Sequence, residues 1–386
     1  MDHTVTVLEL LRQRRRASRS DLIELSGLSP ATVSRAVSRL RDSGFVTEQA
    51  AESAAFGRPP RLVELVADAA FVLAIDAGGS RIRVELADLV GEPAAVSSGT
   101  AATPADGDSV IGEIVRLARG VSGRAHGRPI LAAAAGISGI VDRATGSVLL
   151  SPDLPGLQGL PASNLLADAL GGLPVAVDND DLLAAVGEAT AGAAAGARDV
   201  VFLSLGFGLG AGIIVGGRPL RGAGAAAGAI AYLEPGRLEE RASGRAIPLR
   251  YRALAPARRA GADLDAGMVF ARAAAGDAVA VRVVGEAMDA LGELVVNVAA
   301  VLDPEVIVLG GGLTRNGPAL LEHLAARLAR SVPYPPRIVL TALGDGAVAR
   351  GASVLALTLA RQQLATRFGS PSTQPEPARV GVLELV

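Results

Sequence analysis

The sequence predicts an α/β protein with a winged helix-turn-helix at its N-terminal end. Three observations carry that expectation. Residues 18–41, SRSDLIELSGLSPATVSRAVSRLR, read as a helix, a tight turn at Gly27 and a second helix. From about Ala70 onward, short β-rich apolar runs ending in glycine alternate with Ala/Leu-rich helical stretches, the pattern of buried strands joined by helices. Two of these segments, Phe71 to Leu86 and Val200 to Val215, share one plan of apolar strand, glycine turn and second strand. They suggest two halves of similar topology facing one another across a cleft.

Val5, Leu8 and Leu11 form the apolar side of a first helix that ends in Arg12, Arg14, Arg15 and Arg16. That cluster suits phosphates, although a charged run is usually just a solvated face. In the helix-turn-helix, Ser29 is a natural N-cap and Pro30 occupies the first helical position, where its missing N–H costs nothing. Val33, Ala36, Val37 and Leu40 recur at helical spacing as one apolar stripe. Thr32, Ser34, Arg35, Ser38 and Arg39 are left on the open face. These residue types read grooves: Arg pairs in bidentate fashion with guanine, and short hydroxyls let a helix approach the backbone closely. An ordinary surface hairpin would show much the same spacing, so the residues that follow matter. Phe45 to Thr47 and Arg61 to Leu65 can pair as short strands, with Gly57, Arg58, Pro59 and Pro60 between them, which places Arg58 on a wing. Residues 1–65 hold ten Arg against eight Asp and Glu, a local +2 in a chain of formal charge −2.

Glycine at the turns after the two similar strands lets backbone N–H groups converge on an anion, and tight hairpins need glycine as well. A third segment, Asp303 to Leu313, is a strand running into Gly310, Gly311 and Gly312 ahead of a helix. It suits close approach of a nucleotide or sugar, or close packing of strand on helix. The expected domains are 1–66 for the winged helix, 70–185 and 186–345 for two lobes, with a helix at 346–364 returning to the first. Residues 369–386, rich in Ser, Pro and Gln at their start, read as a disordered tail.

With 386 residues the chain has room for a second function beside the winged helix. It has no cysteine, which excludes disulfides, thiolate catalysis and cysteine-ligated zinc, and its three histidines are scattered. No metal and no cofactor is expected. All 37 basic residues are Arg, so lysine-based chemistry is excluded too. The apolar residues are dispersed among charges, without a membrane-length run or a signal peptide, which points to a cytoplasmic protein.

Nearly the whole chain resembles the ROK family of sugar-responsive repressors and sugar kinases, and its repressor branch in particular. The resemblance rests on the order and spacing of Asp76-Ala-Gly-Gly-Ser80, Gly136 to Asp142, Ser151 to Gly156, Val175 to Asp181, Gly206 to Gly210, Gly222 to Leu233, Leu238-Glu239, Ser243-Gly244 and Pro304 to Gly312. It implies a two-lobed actin-like ATPase fold behind the winged helix, with sugar and, in the kinases, ATP between the lobes. Asp76, Gly78, Gly79 and Ser80, and Gly206, Gly208 and Gly210, match the phosphate loops. Asn179 and Asp180 match the segment whose carboxylate takes the proton of the sugar hydroxyl, and they also fit a plain helix cap. Glu239 matches a second sugar-contacting acid. Asp153 stands where the family usually has asparagine.

Departures from the family pattern decide how the resemblance is read. Phe207 replaces a threonine of the second phosphate loop. Ala229 and Tyr232 stand where a sugar-binding glutamate and a histidine belong, and Arg237 stands where the last cysteine of a zinc cluster would precede the Leu-Glu pair. Three readings follow: a DNA-binding repressor with a sugar-like or other small polar effector, an ROK-type ATP-dependent sugar kinase, and a regulator whose ligand site is degenerate. The first is preferred, because a kinase has no need of the winged helix and the phosphate side is damaged. It makes Asp180 a vestigial base and Asp153, Asn179, Asp180 and Glu239 effector contacts, with double-stranded operator DNA as partner and a homodimer or dimer of dimers as the assembly.

Overall fold

The computed structural model describes residues 2–50, 61–100, 106–234, 238–255, 264–316 and 318–368. Arg58 and the wing tip, Arg237 and the tail 369–386 lie outside the described residues. Helix α1 (His3–Arg14), strand β1 (Arg16–Ser18), α2 (Arg19–Ser26), α3 (Pro30–Asp42), β2 (Val46–Ala50) and β3 (Arg61–Leu65) make the winged helix, its sheet ordered β1-β3-β2. Each helix starts where its cap dictates. Ser18 and Asp21 form a reciprocal capping box on α2, which ends at Gly27 with φ 65°. Ser29 accepts from the Thr32 amide, with Pro30 in the first turn of α3. Val5, Leu8, Leu11, Leu22, Val33, Val37, Leu40 and Phe45 close the core, each no more than 1% exposed. β2 pairs antiparallel with β3, Val46 opposite Leu65.

The basic run after α1 differs from the expected helix end. The helix stops at Arg14, Arg15 turns the chain with φ 67°, and Arg16 already belongs to β1. Arg12 faces the body of the protein: its Nε donates to the Leu89 carbonyl at 2.5 Å, and it pairs with Glu9 at 2.9 Å. Helical periodicity in a short basic run does not reveal where a strand takes over.

Next come β4 (Phe71–Ala77), β5 (Ile82–Asp88), β6 (Pro93–Gly99), α4 (Gly107–Ser122), β7 (Ile130–Ile137), the small β8 (Ile140–Asp142) and β9 (Ser147–Leu150) pair, α5 (Ala162–Ala169) and β10 (Val175–Asn179). Their sheet runs β10-β7-β4-β5-β6, with β4 antiparallel to β5 and parallel to β7. Then follow α6 (Asp180–Ala191), β11 (Val200–Leu205), β12 (Leu209–Val215), β13 (Arg218–Pro219), α7 (Leu238–Ala242), α8 (Ala246–Leu254), α9 (Ala266–Ala274), α10 (Ala278–Leu302), β14 (Val306–Gly310), α11 (Pro318–Ser331), β15 (Arg337–Leu340) and α12 (Ala347–Phe368). The second sheet runs β13-β12-β11-β14-β15, again with a central strand antiparallel to its hairpin partner and parallel to the strand on the other side. The two sheets therefore repeat one topology, as the two similar sequence segments require.

The winged helix, the first sheet and α12 from Ala352 onward belong to one unit; residues 138–142 and Asp178 to Gly351 form the other. In the second unit, Leu203, Leu205, Ile307 and Leu309 of the sheet share a continuous core with Ala287, Leu291 and Leu294 of α10. Here α12 begins tightly against α6: a Cβ on Gly187 would lie 2.3 Å from the Ala347 carbonyl oxygen, and one on Gly351 would lie 1.8 Å from that of Leu183. Glycine is required at both positions for this backbone-to-backbone packing.

Candidate functional site

The open face of α3 is partly engaged within the protein. The Thr32 hydroxyl lies 2.8 Å from Ser29 Oγ, so Thr32 completes the cap of its own helix. Ser34 Oγ accepts from Arg19 Nη1 at 2.8 Å. Arg39 Nη1 donates to the Phe368 carbonyl at 3.2 Å. Arg35 is exposed, and no described residue makes a hydrogen bond or ion pair with it; Ser38 is half-buried on the same face.

Arg19 also donates to the Glu48 carboxylate at 2.8 Å, and Arg41 approaches its other oxygen at 3.4 Å. The Arg19 hydrogen bond, reinforced by the charges of Arg19, Arg61 and Arg41, holds the Glu48 carboxyl below its ordinary value. A lowered folded-state value stabilises the fold above the unfolded glutamate range, and that contribution is lost as the pH falls through the folded value. The wild type is therefore expected to melt above Glu48→Gln at pH 7, with the gap closing below about pH 4. Paired melting curves from pH 7 to pH 3 check it; a gap that stays constant contradicts the assignment.

In the first unit, Asp76 lies near the end of β4 opposite Arg83. The turn that follows is closed by the Gly78 amide, which donates to the Arg81 carbonyl at 3.0 Å, and Ser80 is exposed. A Cβ on Gly79 would sit 2.6 Å from Cβ of Asp153, so this loop and Asp153 lie together. Asp153 is carried on a turn in which Ser151 Oγ accepts from the Leu154 amide at 3.1 Å.

In the second unit, Asn179 caps α6 by accepting from the Leu182 amide at 2.8 Å, while its Nδ2 donates to the Gly139 carbonyl at 2.8 Å and to Asp180 Oδ1 at 3.1 Å. The cap reading of Asn179 holds, and the same bonds fix the Asp180 carboxylate at the first position of the helix, where the dipole favours its charge. One residue earlier, Asp178 is 2% exposed and accepts from Arg221 Nη2 at 2.7 Å and Nε at 3.2 Å. Arg221 opens the loop that carries Ala229 and Tyr232. The pair joins two segments 43 residues apart, and no local spacing announces it.

The second glycine loop is tied through its carbonyls to the residues ahead of α8. The Gly206 carbonyl accepts from the Gly244 amide at 2.8 Å, and the Phe207 carbonyl accepts from the Arg245 amide at 3.1 Å. The Phe207 ring is 58% exposed with the Arg245 guanidinium 5.6 Å from its centroid, and Arg245 also lies 3.8 Å from Glu239. Glu239 is thus linked to the loop through Arg245. Gly208 supplies the carbonyl that the Gly206 amide reaches at 3.0 Å. Gly210 is a strand residue pressed on Asp181, where a Cβ would lie 1.7 Å from Oδ2, which gives it a packing role. On either side of Arg237, Ile230, Leu238, Ala242 and Ile247 are buried in the core of the unit. Among the described residues no group of three or more His, Asp or Glu side chains is placed to hold a metal ion.

Residues 72–359 match the ROK family, and residues 2–47 match the winged helix-turn-helix DNA-binding family. The chain belongs to the ROK family. Similar proteins include the xylose repressor of Caldicellulosiruptor bescii, 27% identical across 82% of this chain and 85% of that one. The glucokinase of Streptomyces coelicolor is 32% identical across 65% of this chain and 85% of its own. Among solved structures, a ROK family transcriptional regulator, a homolog of the Escherichia coli Mlc protein, matches with TM-score 0.76 and 24% identity, over 95% of this chain and 98% of that chain. A Streptomyces griseus ROK glucokinase in complex with glucose and AMPPNP matches with TM-score 0.65 and 27% identity, over 74% and 99% respectively. The ROK body with its actin-like fold and the winged helix-turn-helix are thereby placed in one chain.

Proposed function

We propose that this ROK protein is an operator-binding transcriptional repressor whose body binds a sugar-like or other small polar effector without phosphorylating it. The observation that carries the reading is α3: a capped helix on a winged-helix scaffold, apolar on its inner side and presenting Arg35 to solvent. The xylose repressor among its relatives supports both the DNA partner and a sugar-like effector. A two-fold operator suits a homodimer or a dimer of dimers. No helix among the described residues is long and apolar enough to cross a membrane, which is compatible with a cytoplasmic regulator.

For the effector, Asn179, Asp180 and Glu239 are the proposed contacts in the second unit. Kinase relatives make phosphoryl transfer the competing reading. Against it stands Phe207, which puts a ring where a hydroxyl donor belongs. Phosphoryl transfer depends on positioning and on stabilising phosphate charge, so turnover fails even with Asp180 in place.

A thermal-shift screen of sugars, sugar phosphates and polyols, followed by an ATP-consumption assay on each hit, tests this. The expected result is a ligand whose stabilisation is lost in Asp180→Ala and which consumes no ATP. Steady ATP-dependent phosphorylation would overturn the non-enzyme reading, and a hit indifferent to Asp180, Asn179 and Glu239 would move the effector site elsewhere.

A further inference from the structure

The last turn of α12 is packed on the winged helix, at the far end of the sequence from it. Phe368 meets Phe45 edge to face, with ring centroids 5.7 Å apart and planes at 79°. Phe45 is 1% exposed and Phe368 8%, so the pair is a closed apolar contact directly after the recognition helix. Arg39 of α3 donates to the Phe368 carbonyl. Arg367 is exposed, and its guanidinium lies 5.7 Å from the Phe45 centroid.

We propose that this turn is a working part of the DNA-binding module: Phe368 positions α3 and Arg39, and Arg367 is a phosphate contact. The inference rests on the operator-binding reading above. A guanidinium carries five N–H donors, so the bond to Phe368 fixes Arg39 while leaving donors for a phosphate or base edge. Holding a long, rotamer-rich side chain before binding lowers the ordering cost of the complex. Arg367, across the Phe45 ring from no acid that pairs with it among the described residues, adds a positive charge beside the C-terminal end of the recognition helix, where Arg39 and Arg41 already lie. A phosphate running past Arg39 at that end of α3 would meet Arg367 as well.

The experiment measures affinity of the full chain for a DNA site selected on the wild type, across several salt concentrations. Arg367→Ala is expected to weaken binding several-fold and to flatten the log–log salt slope by about one. Phe368→Ala is expected to weaken it about tenfold or more, with Phe368→Leu, which keeps apolar volume against Phe45, recovering much of the loss. Arg367→Ala removes only an exposed side chain, so it stays informative if Phe368→Ala fails to fold. Wild-type affinity and slope in Arg367→Ala, together with wild-type affinity in folded Phe368→Ala, would overturn the proposal. Failure of the wild type to select any DNA would instead remove the operator-binding reading, and the proposal with it.

Discussion

Arg35→Ala is expected to lower operator affinity by about 1–3 kcal/mol, roughly ten- to a hundredfold, and to relax base preference at one position of each half-site. The expectation follows from how α3 spends its side chains. Thr32 closes the helix cap, Ser34 accepts from Arg19 and Arg39 donates to the Phe368 carbonyl, so the exposed guanidinium on this face that no described residue engages is that of Arg35. A base-reading Arg loses affinity mainly on the preferred sequence, whereas a phosphate contact loses it evenly and alters the salt slope. Titrating Arg35→Ala on the selected site and on single-base variants separates the two. An unchanged base preference with a flatter slope would assign Arg35 to the phosphates, and wild-type behaviour in both would remove it from the interface.

Arg221→Met is expected to destabilise the protein by about 3–5 kcal/mol, because it strands the Asp178 carboxylate away from water with, among the described residues, only the Asn179 amide still donating to it. The effect comes from leaving an uncompensated buried charge, so the double variant Asp178→Asn, Arg221→Met should recover a substantial part of the loss. Denaturant unfolding followed by circular dichroism measures both, since the chain has no tryptophan. A single variant within about 0.5 kcal/mol of wild type would show that water reaches the pair and that it anchors nothing. Because Asp178 precedes Asn179 and Asp180, the single variant should also weaken any effector that depends on those two residues.

Much of the winged helix was legible because its signals are local. Ser29, Pro30 and the Val33, Ala36, Val37, Leu40 stripe specify α3 within a dozen residues, and caps and periodicity act at that range. The repeated strand-turn-strand plan likewise anticipated two sheets of one topology. What stayed hidden depends on chain segments meeting across long separations. Arg39 and the Phe368 carbonyl are 329 residues apart, and Arg12 and the Leu89 carbonyl 77. Periodicity tells which face of a helix is apolar; it does not tell which distant helix end will use an arginine from the polar face. Phe207 was visible as a substitution, but its stacking with Arg245, and through it the link to Glu239, needed the fold. Asn179 shows both sides of the problem, since its capping bond could be read from sequence and its bond to the Gly139 carbonyl could not.

The most direct measurement of the central claim is selection of genomic DNA fragments on the full-length protein, with Arg35→Ala as a parallel bait and a sugar-dependent ATPase assay on the same preparation. The expected result is enrichment of a two-fold symmetric sequence by the wild type, its loss with Arg35→Ala, and no ATP turnover. No enrichment over random fragments, with steady phosphorylation of a sugar, would contradict the regulator and establish a kinase.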